Sequence, residues 1–214
     1  MSKLWVVGCS ISHGVGVSLE QRWGDLVSRE LGIDSVYLTA EGSSIEWAAD
    51  QILRADIQAD DVVCWGVTSP NRSLWYDDSG SEHHLLNVYY NHNPGFHIPR
   101  EHLVDLNLAF KAVNYIIQVQ RSLTRVGCRF LIGYMIPGLS KHREIILDRL
   151  SNTDNFVVMF DATRITTNPD STFFSRSRPA NMIFDDVGTD GMHPGPQQHQ
   201  NYARQFLQNL KENT

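Results

Sequence analysis

Apolar residues in this chain come in two alternating arrangements. Short unbroken apolar runs are followed by longer stretches in which apolar positions recur every three or four residues. The first kind predicts strands buried on both faces, the second amphipathic helices. The predicted strands are Leu4–Val7, Ser35–Thr39, Asp61–Val67, Arg129–Ile136 and Phe156–Phe160. Trp23–Leu31 is a predicted helix with Gly32 as its stop. Ile45–Ala55 places Ile45, Ala48, Ala49, Ile52 and Leu53 on one helical face behind a Ser44 N-cap. The longest helical stretch runs from Leu103 to Val126, with Leu103, Leu106, Phe110, Val113, Ile117 and Leu123 near one stripe and Gly127 after it. Lys141–Leu150 and Gln197–Leu210 are the last two predicted helices, the second carrying Tyr202, Phe206, Leu207 and Leu210 on its apolar side.

Strand and helix alternating in this way predict one α/β domain over residues 1–214, with a mainly parallel sheet covered on both faces. Two stretches interrupt the alternation. Residues 69–102 are polar and rich in Asn, Pro and Gly, yet contain Trp75, Tyr76, Tyr89, Tyr90 and Phe96, and read as an aromatic-rich insertion. Asp161–Gly188 is the second, and it leads into a loop close to the last helix.

Composition narrows the function classes. Hydrophobic residues at 42% suffice for a core, and a formal charge of −6 without a long basic cluster excludes nucleic acid as the main partner. Cys9, Cys64 and Cys128 are an odd number in strand-like surroundings, which predicts reduced thiols and a cytoplasmic compartment. No stretch approaches the ~20 apolar residues of a membrane span. Val6-Val7-Gly8-Cys9 looks like a lipoprotein cleavage box, but the apolar run before it is too short for a signal peptide.

The candidate chemistry lies at the two ends of the chain. Gly8-Cys9-Ser10-Ile11-Ser12-His13-Gly14-Val15-Gly16 puts a serine where the first strand breaks into a glycine-rich turn. Asp190-Gly191-Met192-His193-Pro194 puts a carboxylate and an imidazole three residues apart. A serine hydroxyl becomes a competent nucleophile when a base takes its proton, and that base works best when a carboxylate orients it. Ser10, Gly42 and Thr68 all follow strand ends, where parallel sheets bind ligands. Asn71, Arg72, Trp75 and His13 are candidate substrate contacts. Arg72 suits either an anionic substrate group or an insertion carboxylate. Cys9 reads as a buried structural thiol and His199 as a surface residue of the last helix. His83, His84, His92 and His97, with Asp77, Asp78 and Glu82, lack the spacing of a zinc motif, so no metal or other cofactor is expected.

The Gly8–Gly16 segment resembles the first block of the SGNH (GDSL-type) hydrolases, Gly-Asp-Ser followed by a small hydroxylic residue and glycines. Asp190-x-x-His193-Pro194 resembles the family's final block. Ala40-Glu41-Gly42-Ser43-Ser44 and Gly66-Val67-Thr68-Ser69 stand where the two middle blocks fall. The resemblance implies a flavodoxin-like, three-layer α/β/α sandwich with a five-stranded parallel sheet. It implies an esterase acting on a small-acyl or carbohydrate ester, with Ser10 as nucleophile, His193 as base and Asp190 as its orienter. The oxyanion hole would comprise the Ser10 and Gly42 amides and a side-chain donor from the third block. Two positions depart: Cys9 stands for the aspartate of Gly-Asp-Ser, and Thr68 for the donor asparagine, with Asn71 as a nearby substitute. These departures motivate a second reading, a non-catalytic binding or structural protein on the same fold. A further alternative, a nucleotide or phosphate binder using Gly14 and Gly16 as a phosphate loop, is opposed by the first turn, which lacks a Walker lysine and the spaced glycines of a dinucleotide loop.

Overall fold

The computed structural model describes residues 2–76, 79, 82–85, 105–136, 140–153, 155–159 and 184–212. Its centre is a parallel sheet of five strands: β1 (Lys3–Gly8), β2 (Asp34–Thr39), β3 (Val62–Val67), β6 (Arg129–Tyr134) and β7 (Phe156–Val158). Their order is β2-β1-β3-β6-β7. The chain steps outward from β1 to β2, then crosses to the other side of β1 and continues outward. That reversal makes the carboxyl ends of β1 and β3 the topological switch point, the place where open parallel sheets generally bind ligands. Gly8, the last residue of β1, pairs with Thr39 of β2 on one side and Gly66 of β3 on the other.

The strands are apolar almost throughout because helices cover both faces. Trp5, Val7, Val63, Trp65, Phe130, Ile132 and Tyr134 pack under α3 (Ile45–Arg54), α4 (Asp105–Val126) and α5 (Ser140–Leu150). Leu4, Val6, Val62, Cys64 and Leu131 pack under α2 (Trp23–Leu31) and α6 (Pro196–Glu212). On the second face, the rings of Trp23 and Phe206 stack at 4.4 Å. Each such fully buried side chain contributes about 1.5–3 kcal/mol by leaving water. The result is a three-layer α/β/α sandwich.

Local stop and start signals act as the sequence predicts. Gly32 ends α2 and Gly127 follows α4, both at positive φ, which glycine adopts without a Cβ penalty. The Ser44 hydroxyl accepts from the Trp47 amide and caps α3. Several side-chain placements differ from expectation. Leu53 is exposed on α3, and its place in the core is taken by Trp47. On α4, Leu106 and Phe110 are exposed, and the buried stripe is Leu108, Ala112, Ile116, Val119 and Leu123. Phe110 instead lies under the Arg149 guanidinium. His199 is not a surface residue: α6 turns it fully inward, where its Nδ1 accepts from the Trp23 amide.

The interruption after β3 contains a two-stranded antiparallel hairpin, β4 (Ser73–Tyr76) and β5 (Glu82–Leu85). Glu46 of α3 ties it down, its Oε1 accepting from Ser73 Oγ (2.7 Å), the Leu74 amide (2.7 Å) and Lys111 Nζ (3.0 Å). The side chains of Trp75, Tyr76, His83 and His84 lie outside the described residues, as do Asp77, Asp78, Tyr89, Tyr90, His92, Phe96 and His97. Most of 161–188, through residue 183, lies outside them too.

Candidate active site

The first turn of the site follows from close packing at the end of β1. A Cβ on Gly8 would meet Ser12 Oγ at 2.3 Å and the Gly66 carbonyl oxygen at 2.7 Å, and one on Gly66 would meet Ser12 Oγ at 2.6 Å. The two glycines therefore let the Ser12 side chain sit over the β1–β3 seam. This holds a single helical turn, α1 (Ser10–His13), against the sheet end. Gly14 closes that turn at φ +89°, its amide donating to the Ser10 and Ile11 carbonyls. Ser10 sits at the start of α1, 5% exposed.

The second component arrives from the far end of the chain. Asp190 Oδ1 accepts from the amides of Met192 and His193, each at 3.1 Å, and Oδ2 lies 2.5 Å from His193 Nδ1. A carboxylate at Nδ1 selects the tautomer with the proton there, leaving the Nε2 lone pair available as a base. Partial burial by itself raises the Asp190 carboxyl, but the hydrogen bonds from the His193 ring and the two amides outweigh it and hold the pKa below its ordinary value. Just before this loop, Asp186 caps α6 by accepting from the Gln197 and Gln198 amides.

Gly16 joins the two components. Its carbonyl oxygen accepts from the Thr189 amide at 2.8 Å and from Thr189 Oγ1 at 3.2 Å. A Cβ on Gly16 would stand 2.9 Å from Asp190 Oδ1. The Ser10 turn and the Asp190–His193 loop thus pack against one another. No hydrogen bond joins Ser10 Oγ to His193 among the described residues.

The turn after β2 closes the other side. Gly42 adopts φ +74° there. The Gly8 carbonyl oxygen accepts from the Ala40 amide (3.3 Å) and from Ser43 Oγ (3.1 Å), which stitches this turn to the end of β1. After β3, Thr68 is 2% exposed and Asn71 1%. The Asn71 side-chain carbonyl accepts from Ser69 Oγ. The Thr68 hydroxyl lies against the Cys9 sulfur without a hydrogen bond of ordinary geometry. Arg72, half-buried, donates from Nη1 to the Ser43 carbonyl oxygen at 3.5 Å.

Cys9 is buried, as the sequence predicts, at the edge of the apolar cluster under α2 and α6, and polar groups act on it as well. Burial alone would push the thiol up. The Arg72 charge, the Ile11 amide and the Thr68 and Ser10 hydroxyls outweigh that and hold it below its ordinary value. His13 stands exposed on the rim, its Nδ1 3.0 Å from Thr39 Oγ1. Insertion carboxylates as partners of Arg72, like the Trp75 side chain, lie outside the described residues. Sequence reasoning reaches Gly16 and Ser43 only as members of their segments, without a task of their own, and does not single out Glu46, which carries no signal.

No family model matches the sequence, and no curated protein matches it. Solved structures do resemble it in three dimensions. TesA superimposes with a TM-score of 0.58 at 13% identity over 100% of both chains. A psychrotrophic esterase, EstA from Pseudoalteromonas sp., gives 0.56 at 10% identity over 99% of this chain and 98% of its own. A member of the lipolytic G-D-S-L family from Veillonella parvula gives 0.55 at 11% identity over 97% of both.

The chain has the SGNH-hydrolase fold. Of the blocks that the resemblance picked out, Ser10 follows β1, Gly42 follows β2 and Thr68 follows β3, while the loop of Asp190 and His193 precedes α6 and packs on Gly16. Among the described residues, no helix is long and apolar enough to cross a membrane.

Proposed function

We propose that this chain is a serine esterase. The observation that carries the reading is the Asp190–His193 pair, 2.5 Å apart at Nδ1, in a loop bonded through Thr189 to the turn that bears Ser10. In the proposed reaction, Ser10 Oγ attacks the ester carbonyl while His193 Nε2 takes its proton. The tetrahedral intermediate collapses, and the alcohol leaves with that proton from His193. Water, deprotonated by the same nitrogen, then attacks the acyl-enzyme, and the acid departs as Ser10 recovers its proton. Asp190 holds the imidazole tautomer and balances its transient charge. The Ser10 and Gly42 amides face the developing oxyanion.

Small-acyl esters, including acylated carbohydrates, are the proposed substrates, and the aromatic-rich stretch 69–102 is the proposed insertion in a single domain. The buried, closed-off Thr68 hydroxyl favours the second reading, a binding protein that keeps this fold. A fluorophosphonate probe separates the two. Labelling of the wild type that disappears in Ser10→Ala supports the esterase; a folded wild type that stays unlabelled supports the binding protein. A p-nitrophenyl acyl series then reads the chain-length preference.

A further inference from the structure

An oxyanion hole assembled only from the Ser10 and Gly42 amides lacks a third donor. Thr68 and Asn71, the side chains nearest in sequence to the family's asparagine, are poorly available for that task. Thr68 is buried with its hydroxyl against Cys9, and Asn71 is buried with its side-chain carbonyl engaged by Ser69. Arg72 differs from both. Its guanidinium reaches the Ser43 carbonyl, one residue beyond Gly42, and that turn is itself stitched to the end of β1 at Gly8. The residue is also held in place along its backbone. Its amide donates to the Ser69 carbonyl oxygen at 3.2 Å, and the two residues after it are clamped by Glu46.

We propose that the Arg72 guanidinium is the side-chain donor that completes the oxyanion hole between the Ser10 and Gly42 turns. This rests on the esterase reading. A guanidinium carries five N–H donors in a rigid fork, so one bond to Ser43 leaves others for the substrate oxygen. The positive charge of Arg72 is also the strongest influence lowering the thiol of Cys9, the residue that precedes Ser10. A cation stabilises a developing alkoxide more than a neutral amide does, because charge-assisted hydrogen bonds are roughly twice as strong. The asparagine-to-threonine departure at position 68 is then compensated by the arginine four residues on. Thr68 packs against Cys9, the other departing residue, so the two departures occupy one small cluster.

The test uses the full chain and a neutral substrate, p-nitrophenyl acetate, so that ground-state charge recognition makes no contribution. Arg72→Ala is expected to lower kcat by about 10²–10³-fold with KM nearly unchanged, the usual signature of a lost oxyanion donor. Millimolar guanidinium ion is expected to restore part of that kcat, and Arg72→Lys to fall between wild type and Arg72→Ala. Labelling by a neutral fluorophosphonate is expected to slow in parallel. A kcat within about threefold of wild type overturns the assignment. So does a loss confined to KM, a loss that guanidinium fails to rescue in a folded variant, or a larger and unrescued loss in Thr68→Val. If Arg72→Ala does not fold, Arg72→Lys decides by the same split of kcat from KM. A wild type with no Ser10-dependent labelling or turnover overturns the esterase reading itself, and the role of Arg72 with it.

Discussion

Thr189 donates its amide hydrogen to the carbonyl oxygen of Gly16 over 2.8 Å, across 173 positions of sequence. Through this bond the loop carrying Asp190 and His193 rests on the turn that follows Ser10. The pair is therefore placed by backbone contact with the turn after Ser10, as well as by α6 behind it. Catalysis of the proposed kind depends on that contact, since a misplacement of 1 Å can cost about 10²-fold in rate.

Gly16→Ala tests the contact directly. Gly16 lies at φ +88°, and a Cβ there would approach Asp190 Oδ1 to 2.9 Å and Gly188 Cα to 3.3 Å. The expected result is a fall in kcat of about 10²-fold, from displacement of the Asp190 loop. Stability is expected to fall by more than ~1 kcal/mol through backbone strain, while the fold is kept. Turnover and thermal melting, measured side by side, read the two effects; full activity in Gly16→Ala would mean the loop tolerates the shift.

Asp190→Asn keeps an oxygen for the Met192 and His193 amides but removes the carboxylate from His193 Nδ1. The wrong imidazole tautomer is then free to form, and kcat on a p-nitrophenyl ester is expected to fall by about 10⁴-fold. A loss of less than about tenfold would remove Asp190 from the orienting role.

Glu46 should matter to stability and to turnover together. Its carboxylate is mostly shielded and accepts from Ser73, Leu74 and Lys111 through one oxygen. Glu46→Ala leaves the Leu74 amide without its partner, at an expected cost of about 1–3 kcal/mol by urea unfolding. Because the clamp begins one residue after Arg72, kcat is expected to fall as well. Glu46→Gln, which retains an acceptor for Leu74, should recover most of both. Equal effects from the two variants would show that the charge, rather than the clamp, is what counts.

Acid should weaken the fold through His199. Burial, followed by the positive influences of His193 and Arg22, pushes its pKa down from 6.5 to about 4, against an opposing pull from Asp186. The unfolded chain takes up this proton first, so stability is fully present above about pH 6.5 and declines as the pH falls toward about 4. The loss approaches about 3 kcal/mol at the lower limit. Asp61 and Asp190, whose carboxyls are held below their ordinary range, lose their contributions only as the pH falls below that range. Urea midpoints across this interval should therefore decline in the wild type and flatten in His199→Gln, which accepts from Trp23 without titrating. Parallel slopes would assign the acid loss elsewhere.

Much of the architecture was legible along the chain, because its causes are local. Unbroken apolar runs mark strands buried on both faces, Gly32 and Gly127 stop helices, and Ser44 caps one. Side-chain facing was less legible. Leu53, Leu106 and Phe110 satisfy a helical period, yet neighbouring helices and the sheet bury Trp47, Leu108 and Ile116 instead. Periodicity specifies a face only to within one or two residues per turn, and packing partners settle the choice. His199 shows the same limit, since polarity suggested solvent while the Trp23 amide offered a buried partner.

The candidate site divides along the same line. Its candidate residues could be read from short segments: Ser10 in a glycine turn, and Asp190 three residues before His193, whose pairing through Nδ1 is a property of one loop. Which distant segments would meet could not be read, because contacts such as Thr189 with Gly16, Ser43 with Gly8 and Arg72 with Ser43 obey no sequence period. They follow from the order of strands in the sheet, which carries the ends of β1, β2 and β3 to one rim. Hydrogen-bonding propensity is local, but the partner each group finds depends on how the whole sheet is wound.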